Sequence, residues 1–420
     1  MPNYLSPGIY VEEVSTGAKP IGMVGTSVPA FLGLAPAKNK HVNQAIACNN
    51  WGEFCRYFVN EDSKSTHLAQ AVFSFFNNHG SRCYIVNVGE NGSISGDVKK
   101  RSGLYALETI DEVAIVAAPG YSDAISYEAL LSHCEKLQDR IAILDAPESV
   151  SDINALKTLK TVSSTTSTGS TSTSSESGES KPATDIKIES TASQGLRPRN
   201  SDEGYGAFYF PWFRGLDALQ PNSGSIVNIP PSGAIAGIYA RTDATRGVHK
   251  APANEQVRGA LGLTYSVSRE EHGELNRKGV NVIRMFPDGI RIWGARTLAA
   301  EASEWRYIPV RRTFNMIKES IQEGTRWTVF EPNDMMTWKS VERDIRAFLM
   351  RVWRDGALLG ATPEQAFFVK CDAETNPPEV RDAGQLIAEI GIAPVKPAEF
   401  IVFRIGQWTN ETESATSTGV

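Results

Sequence analysis

A mixed α/β protein is what this sequence predicts, and three observations predict it. Continuous apolar runs, Val113–Ala118 and Ile141–Asp145, are separated by a segment with helical spacing, Ser126–Gln138. Strands apolar on both faces and alternating with helices belong to a parallel sheet covered on both sides. A later stretch, Trp305–Trp408, runs helix, strand, helix, strand and an apolar tail, the pattern of a separate α+β unit. The chain of 420 residues is long enough for two or three domains with sizeable cores.

Taken in order, residues 1–27 read as an arm. Leu5–Gly8 is a turn, Ile9, Tyr10, Val11, Glu12, Glu13 and Val14 have strand composition, and Ser15–Pro20 breaks it. Residues 28–104 form the first α/β part, with a small-residue strand at Val28–Ala35, a helix at His67–Asn78 and a strand at Cys83–Val88. Residues 105–300 continue the alternation, with Asp152–Thr158 as a helix start and Ala207–Trp212 as a strand. Pro230–Ala240 is a helical or tightly packed segment, followed by a stretch dense in polar and turn residues, Arg241–Asn254. Val282–Phe286 and Ile290–Arg296 flank Pro287-Asp288-Gly289, and Asp-Gly between β-rich runs signals a hairpin. Within this part, Ser163–Ser180 is Ser, Thr and Gly apart from Glu176 and Glu179. Such a segment cannot bury enough apolar area to offset its ordering entropy, so 160–200 is expected to be a flexible, exposed insertion.

Residues 301–393 form the C-terminal unit. Pro309 suits a first helical turn, Val310, Phe314, Ile317 and Ile321 recur at helical spacing, and Gly324 stops the helix. Arg326–Phe330 has strand composition. The next helix carries an apolar stripe, Val341, Ile345, Phe348 and Val352, opposite a basic one, Lys339, Arg343, Arg346 and Arg354. A strand at Ala366–Lys370 follows. Residues 394–420 are a second arm and tail, in which Pro394 and Pro397 precede the strand candidate Glu399–Ile405, with Phe400, Ile401, Val402, Phe403 and Ile405. Prolines cannot join a ladder, and an apolar terminal strand left unpaired is an aggregation hazard, so this one needs a partner. The partner lies in the same chain or in the next. Terminal strands ordinarily pair within their own chain, which makes an edge strand the plain reading of both ends.

Composition narrows the function. A net charge of −6 argues against bulk nucleic-acid binding. No secretory signal and no run of membrane-spanning length is visible, so synthesis in the cytoplasm without membrane insertion is expected. Five scattered cysteines fit reduced thiols, and none has metal-ligand spacing. Enzyme signatures are missing as well: there is no dinucleotide fingerprint, phosphate loop or HExxH. Gly120-Tyr121-Ser122-Asp123-Ala124 resembles a nucleophile elbow but lacks the second glycine. Cys134 beside His133 reads as an ordinary buried thiol, and His249 as a loop residue held by hydrogen bonds. The Arg241–Asn254 stretch is either an active-site loop or a loop locking against a neighbouring subunit. No catalytic residue, cofactor or metal is therefore assigned. An α/β hydrolase-like enzyme centred on His249 remains the alternative. The basic stripe is either a solvated face or a docking surface for an acidic partner.

Several segments in order then resemble one family. They are Tyr4–Glu13, Val116–Gly120, Pro230–Gly233, Tyr239–Asp243 with Gly247–Asn254, and Trp305–Arg312. Together they resemble the tail sheath proteins of contractile phage tails and of related contractile injection systems, nearest to those of phage-tail-like particles without a genome. The resemblance implies a structural subunit that stacks as six-membered rings into a helical sheath around an inner tube, and drives the tube forward on contraction. It implies that the residue 105–300 part is a subtilisin-like domain in topology only, because no serine-protease triad carries over. It turns both terminal strands, Ile9–Val14 and Phe400–Ile405, into arms that add to neighbouring subunits. It also makes Lys339, Arg343, Arg346 and Arg354 candidates for the tube-facing surface. The partners it implies are the subunit itself, the inner tube, the baseplate and tail-terminator proteins, and sheath paralogues, in a particle kept in the cell or released. A non-contractile shell or lattice protein would use the same arms.

Overall fold

The computed structural model describes residues 20–160 and 195–402. Its main body opens with β1 (Pro29–Gly33) and β2 (Ala45–Cys48), then α1 (Trp51–Phe58), α2 (His67–Asn77) and β3 (Cys83–Asn87). The alternation continues through β4 (Ile115–Ala117), α3 (Ala124–Leu137), β5 (Ile141–Asp145) and β6 (Gly206–Phe210). A small sheet, β7 (Phe213–Leu216), β8 (Ile226–Ile229) and β9 (Gly262–Leu263), is interrupted by α4 (Ser232–Arg246). After α5 (Arg269–Arg277), the hairpin β10 (Val280–Phe286) and β11 (Gly289–Trp293) closes the body.

Among the described residues, eight strands form one sheet in the order β11-β10-β6-β5-β4-β1-β3-β2. The strands from β3 to β10 are parallel, and the two ends, β2 and β11, are antiparallel. Strands from residues 28–104 and 105–300 therefore share this sheet. Alternate residues of each apolar run go to opposite faces. Phe31, Ile85, Ile115, Ile143 and Tyr209 pack with α1, α2 and α4. Leu32, Val86, Val116, Leu144 and Phe208 pack with α3 and α5. The three-layer arrangement is what two-faced apolar runs predict, and the Asp288-Gly289 hairpin forms as expected.

Helix α4 lies deep in the body and crosses α2 at close range. A Cβ on Gly233 would stand 2.0 Å from the Ala71 carbonyl oxygen, and one on Gly237 2.5 Å from that of Phe75. Only glycine at both positions lets the backbones meet. The buried start of α4 is satisfied from the sheet: Ser232 donates its N–H and hydroxyl to the Asp145 carboxylate, each at 2.7 Å. The Gly120 N–H adds a third bond at 3.2 Å. Burial pushes the Asp145 carboxyl up to about 7 against those three donors.

The C-terminal module comprises α6 (Ile308–Gly324), α7 (Met335–Arg354), α8 (Pro363–Ala366), β12 (Phe367–Lys370), α9 (Pro378–Asp382) and β13 (Glu389–Ile392). Pro309 and Gly324 bound α6 as their positions predict. Its core joins Met316 and Ile317 of α6 to Val341, Ile345, Phe348 and Val352 of α7, with Phe367 and Val369 of β12.

Four local expectations are corrected. Arg326–Phe330 is not a strand: Arg326–Thr328 is a single 3₁₀ turn. Thr328 donates its hydroxyl to the Thr325 carbonyl at 2.8 Å, Trp327 packs against the module core, and Phe330 takes a φ of +70°. Residues with β composition form no strand where no neighbour offers a ladder. Asp152–Thr158 is likewise one 3₁₀ turn, Ile153–Lys157. Arg241–Arg246, expected to be loop, are the last turns of α4, with Gly247 ending it. The segment 399–402 carries no strand; the other half of that candidate, 403–405, lies outside the described residues.

Candidate assembly surfaces

The most strongly charged surface of the module is built by α7. Asp334 caps the helix, its carboxylate accepting from the Met336 and Thr337 N–H groups at 3.0 and 2.9 Å. The apolar stripe faces the core, which fixes Lys339, Arg343, Arg346 and Arg354 on the solvent side, and all four are exposed. Lys339 pairs with Glu342 at 2.8 Å, and Arg343 with the buried Asp344 at 3.1 Å. No ion pair among the described residues engages Arg346 or Arg354. The stripe therefore has two tethered and two unengaged cations, a face able to meet an anionic partner.

A second surface is apolar. Among the described residues, β12 and β13 form a two-stranded sheet of their own, with a bridge from Leu358 to Pro394 just beyond it, and Phe368 of β12 is 54% exposed. Phe400, Ile401 and Val402 are 74%, 73% and 76% exposed. Consecutive apolar side chains in water without a strand partner have the character of a segment awaiting one. The other arm candidates, Ile9, Tyr10, Val11, Glu12, Val14, Phe403 and Ile405, lie outside the described residues.

The body and the module meet through two arginines of α6 that periodicity missed. Arg312 donates to both Asp243 carboxylate oxygens at 2.9 and 2.5 Å and to the Thr26 carbonyl at 3.0 Å. Its guanidinium also lies 4.5 Å from the Tyr239 ring centroid. Arg311 stacks on Trp305 and Tyr205 at 4.0 and 4.6 Å and donates to Asn315. Both side chains are buried, so these two helix charges are junction pins.

The chemistry considered for an enzyme is not assembled. Cys134 is fully buried and desolvation drives its thiol far above the usual range, while burial lowers the neighbouring His133 to about 4. In doubly wound sheets ligands enter at the switch point, here beside β1. There a Cβ on Gly33 would stand in ordinary contact with Leu68 and Tyr121, each at 3.5 Å. The turn containing Gly120 presents its N–H to Asp145 instead of an exposed nucleophile. The His249 stretch is tied to its own chain at Val248. Its Val248 enters the apolar core of the chain's own C-terminal module, and His249 is half-buried, its imidazole lowered by that burial.

An α/β/α body joined to a module whose apolar and basic faces lie in water has the character of an assembly subunit. The family comparisons specify which. Residues 97–298 match the phage tail sheath protein central domain, and residues 300–407 the phage tail sheath C-terminal domain. The sheath of the extracellular contractile injection system PVC, solved in the contracted state, is 30% identical over 98% of this chain and 99% of that one, with a TM-score of 0.73. The contracted helical sheath of the anti-feeding prophage is 27% identical over 96% and 99% of the two chains, with a TM-score of 0.70. The tail sheath protein of Vibrio phage KVP40 is 29% identical over 46% of this chain and 28% of its own length. A putative prophage major tail sheath protein of Pseudomonas aeruginosa is 29% identical over 43% of this chain and 47% of its own. The chain thus matches less than half the length of these curated relatives. It belongs to the phage tail sheath family. Among the described residues, no helix is long and apolar enough to cross a membrane.

Proposed function

We propose that this chain is the structural subunit of a contractile sheath: it polymerises helically around an inner tube and drives the tube forward on contraction. The observation that carries the reading is the match along nearly the whole chain to a sheath solved in the contracted state. A full-length match places the same modules, in the same order, in the relative that contracts.

The exposed segment Phe400–Val402, continuing to Phe403 and Ile405, and the N-terminal segment Ile9–Val14 are the arms. The open edges of β12 and β13 are the acceptor, where strand addition gives main-chain hydrogen bonds with little demand on side chains. The stripe Lys339, Arg343, Arg346 and Arg354 faces the tube, because screened charge contacts hold and then release a sliding partner more readily than an apolar patch. Baseplate and terminator proteins cap the polymer, sheath paralogues share the tube, and assembly takes place in the cytoplasm before the particle is retained or released. The Ser/Thr-rich insertion projects from the outer surface, and no cofactor takes part.

Negative-stain microscopy of the purified protein, beside a variant lacking residues 1–20, tests the reading. The expected result is ridged hollow tubes from the full chain and none from the truncated one. Dispersed particles from both would overturn it. A variant lacking 163–180 is expected to form tubes of normal width, and its failure to polymerise would remove the insertion from the outer surface.

A further inference from the structure

Each end of the described chain is fixed on the module to which it does not belong in sequence. Residues 20–27 lead into β1 of the body, yet Ile21 is 1% exposed within the C-terminal module's apolar core. Arg351 donates to its carbonyl, and the Val24 N–H donates to the Ser320 hydroxyl at 3.1 Å. At the other end, Pro394 still bridges Leu358 of the module, and the segment then crosses to the body. There Glu399 receives Arg296 Nε at 2.9 Å and Nη2 at 2.8 Å, Asn276 Nδ2 at 2.5 Å and the Tyr307 hydroxyl at 3.2 Å. The Arg296 side chain is 6% exposed and that of Glu399 19%, so the anchor is largely shielded from salt and water. The next three residues are the exposed apolar Phe400, Ile401 and Val402.

This arrangement sets direction. A bidentate guanidinium–carboxylate pair fixes geometry as well as position, and Pro394 and Pro397 stiffen the crossing that leads to it. An apolar segment that starts one residue beyond such an anchor searches a narrow cone of space. Narrowing the search raises its effective concentration at an acceptor lying in that cone and lowers the entropy lost on docking.

We propose that Glu399 is a positioning residue for polymerisation: clamped by Arg296 and Asn276 of the body and by Tyr307 at the start of α6, it aims Phe400–Val402 at a second copy of this chain. Ile21 is its counterpart, holding the root of the other terminal segment on the module, so that a pull on either end is delivered across the junction of the two modules. The inference rests on the sheath reading, which supplies the second copy.

Sedimentation of the full-length chain over a concentration series tests it, using two variants. Glu399→Ala removes the anchor. Insertion of Gly-Ser-Gly between Glu399 and Phe400 leaves the anchor and the buried Arg296 intact and only frees the direction, so folding is not at issue. The expected result is a critical concentration for tube formation raised about tenfold or more by the insertion and at least as much by Glu399→Ala, with Glu399→Gln intermediate. The inserted variant should melt as the wild type does. Wild-type chain that stays dispersed would overturn the sheath reading and the inference with it. Wild-type tubes accompanied by an inserted variant whose critical concentration lies within about twofold would overturn the aiming role alone.

Discussion

The main body and the C-terminal module carry sheets of very different size and cover. In the body, helices cover both faces of the sheet, residues 254–257 bond along the outer side of β11, and the four-residue β2 is the other edge. In the module, β12 and β13 stand as a pair, supported on one side by α7, with Phe368 exposed on the other. A two-stranded ribbon is marginal alone, and one that keeps open edges is an invitation to a third strand. The body's sheet is long and covered on both faces, whereas the module's is a short ribbon that leaves Phe368 in water.

If the body is a closed unit, its tightest contact should be its most sensitive. Gly233→Val would drive a side chain into the Ala71 carbonyl oxygen, where neither backbone can give way. The expected cost is about 4 kcal/mol or more, seen as insoluble expression or a collapse of the urea midpoint followed by tryptophan fluorescence. An unchanged midpoint would mean that α2 and α4 do not meet as described.

The same division explains what the sequence revealed. β1 and β3 to β6 were legible because a strand buried on both faces is an unbroken apolar run, and α2, α3, α6 and the apolar side of α7 because their stripes are regular. β2, β7 to β9, α1 and α5 were not. Their short or half-exposed segments carry mixed residues; β8, for instance, runs from exposed Ile226 to buried Ile229. Arg326–Phe330 misled because β composition speaks only of a residue's fitness for a sheet, not of whether a ladder is available. At the candidate surfaces, the basic stripe was legible from helical spacing alone. The Arg296–Glu399 anchor was not, because its partners stand 103 residues apart at the ends of two strand candidates and neither segment points to the other. Arg312 and Asp243 were hidden for the same reason.

That hidden pair offers the next test, since it joins the body to the module. The Arg312 and Asp243 side chains are 3% and 7% exposed. Asp243→Ala leaves a buried guanidinium with only the Thr26 carbonyl for a partner and is expected to cost about 3 kcal/mol. The double variant Asp243→Leu with Arg312→Met removes both charges and should recover much of that loss in the same urea titration. A single variant no worse than the double would show that the junction does not depend on this pair.

A smaller effect should appear with pH on the same face of α6. Glu319 is half-buried, and desolvation, with Asp139 and then Glu323 adding repulsion, raises its carboxyl from 4.5 to about 7. Below about pH 4.5 the group is protonated folded and unfolded alike and contributes nothing. Between 4.5 and 7 only the folded chain keeps the proton, so stability falls as pH rises across that window and is level above it. Discounted for partial exposure, the loss is about 1–2 kcal/mol. Glu319→Gln should make the profile shallower, leaving the share of Asp145, which is raised over the same window, and be the more stable protein at pH 8; a slope as steep as the wild type's would assign the titration to another group.

The smallest effect on stability should come with the largest effect on assembly. Arg346 is the position to reverse, because Arg343 lies against the buried Asp344 and a carboxylate there would add repulsion inside the module. Arg346 is exposed and engages no ion pair among the described residues, so Arg346→Glu should move stability by no more than about 0.5 kcal/mol. If the α7 stripe meets the tube, that reversal puts a negative charge where a positive one met an acidic partner. Tube co-sedimentation should then fall and lose its salt sensitivity while the subunit melts normally. Co-sedimentation equal to wild type at low salt would free the stripe from the tube and return it to the role of a solvated helix face. The open strand edges and the exposed Phe400–Val402 would then be the module's remaining means of joining its assembly.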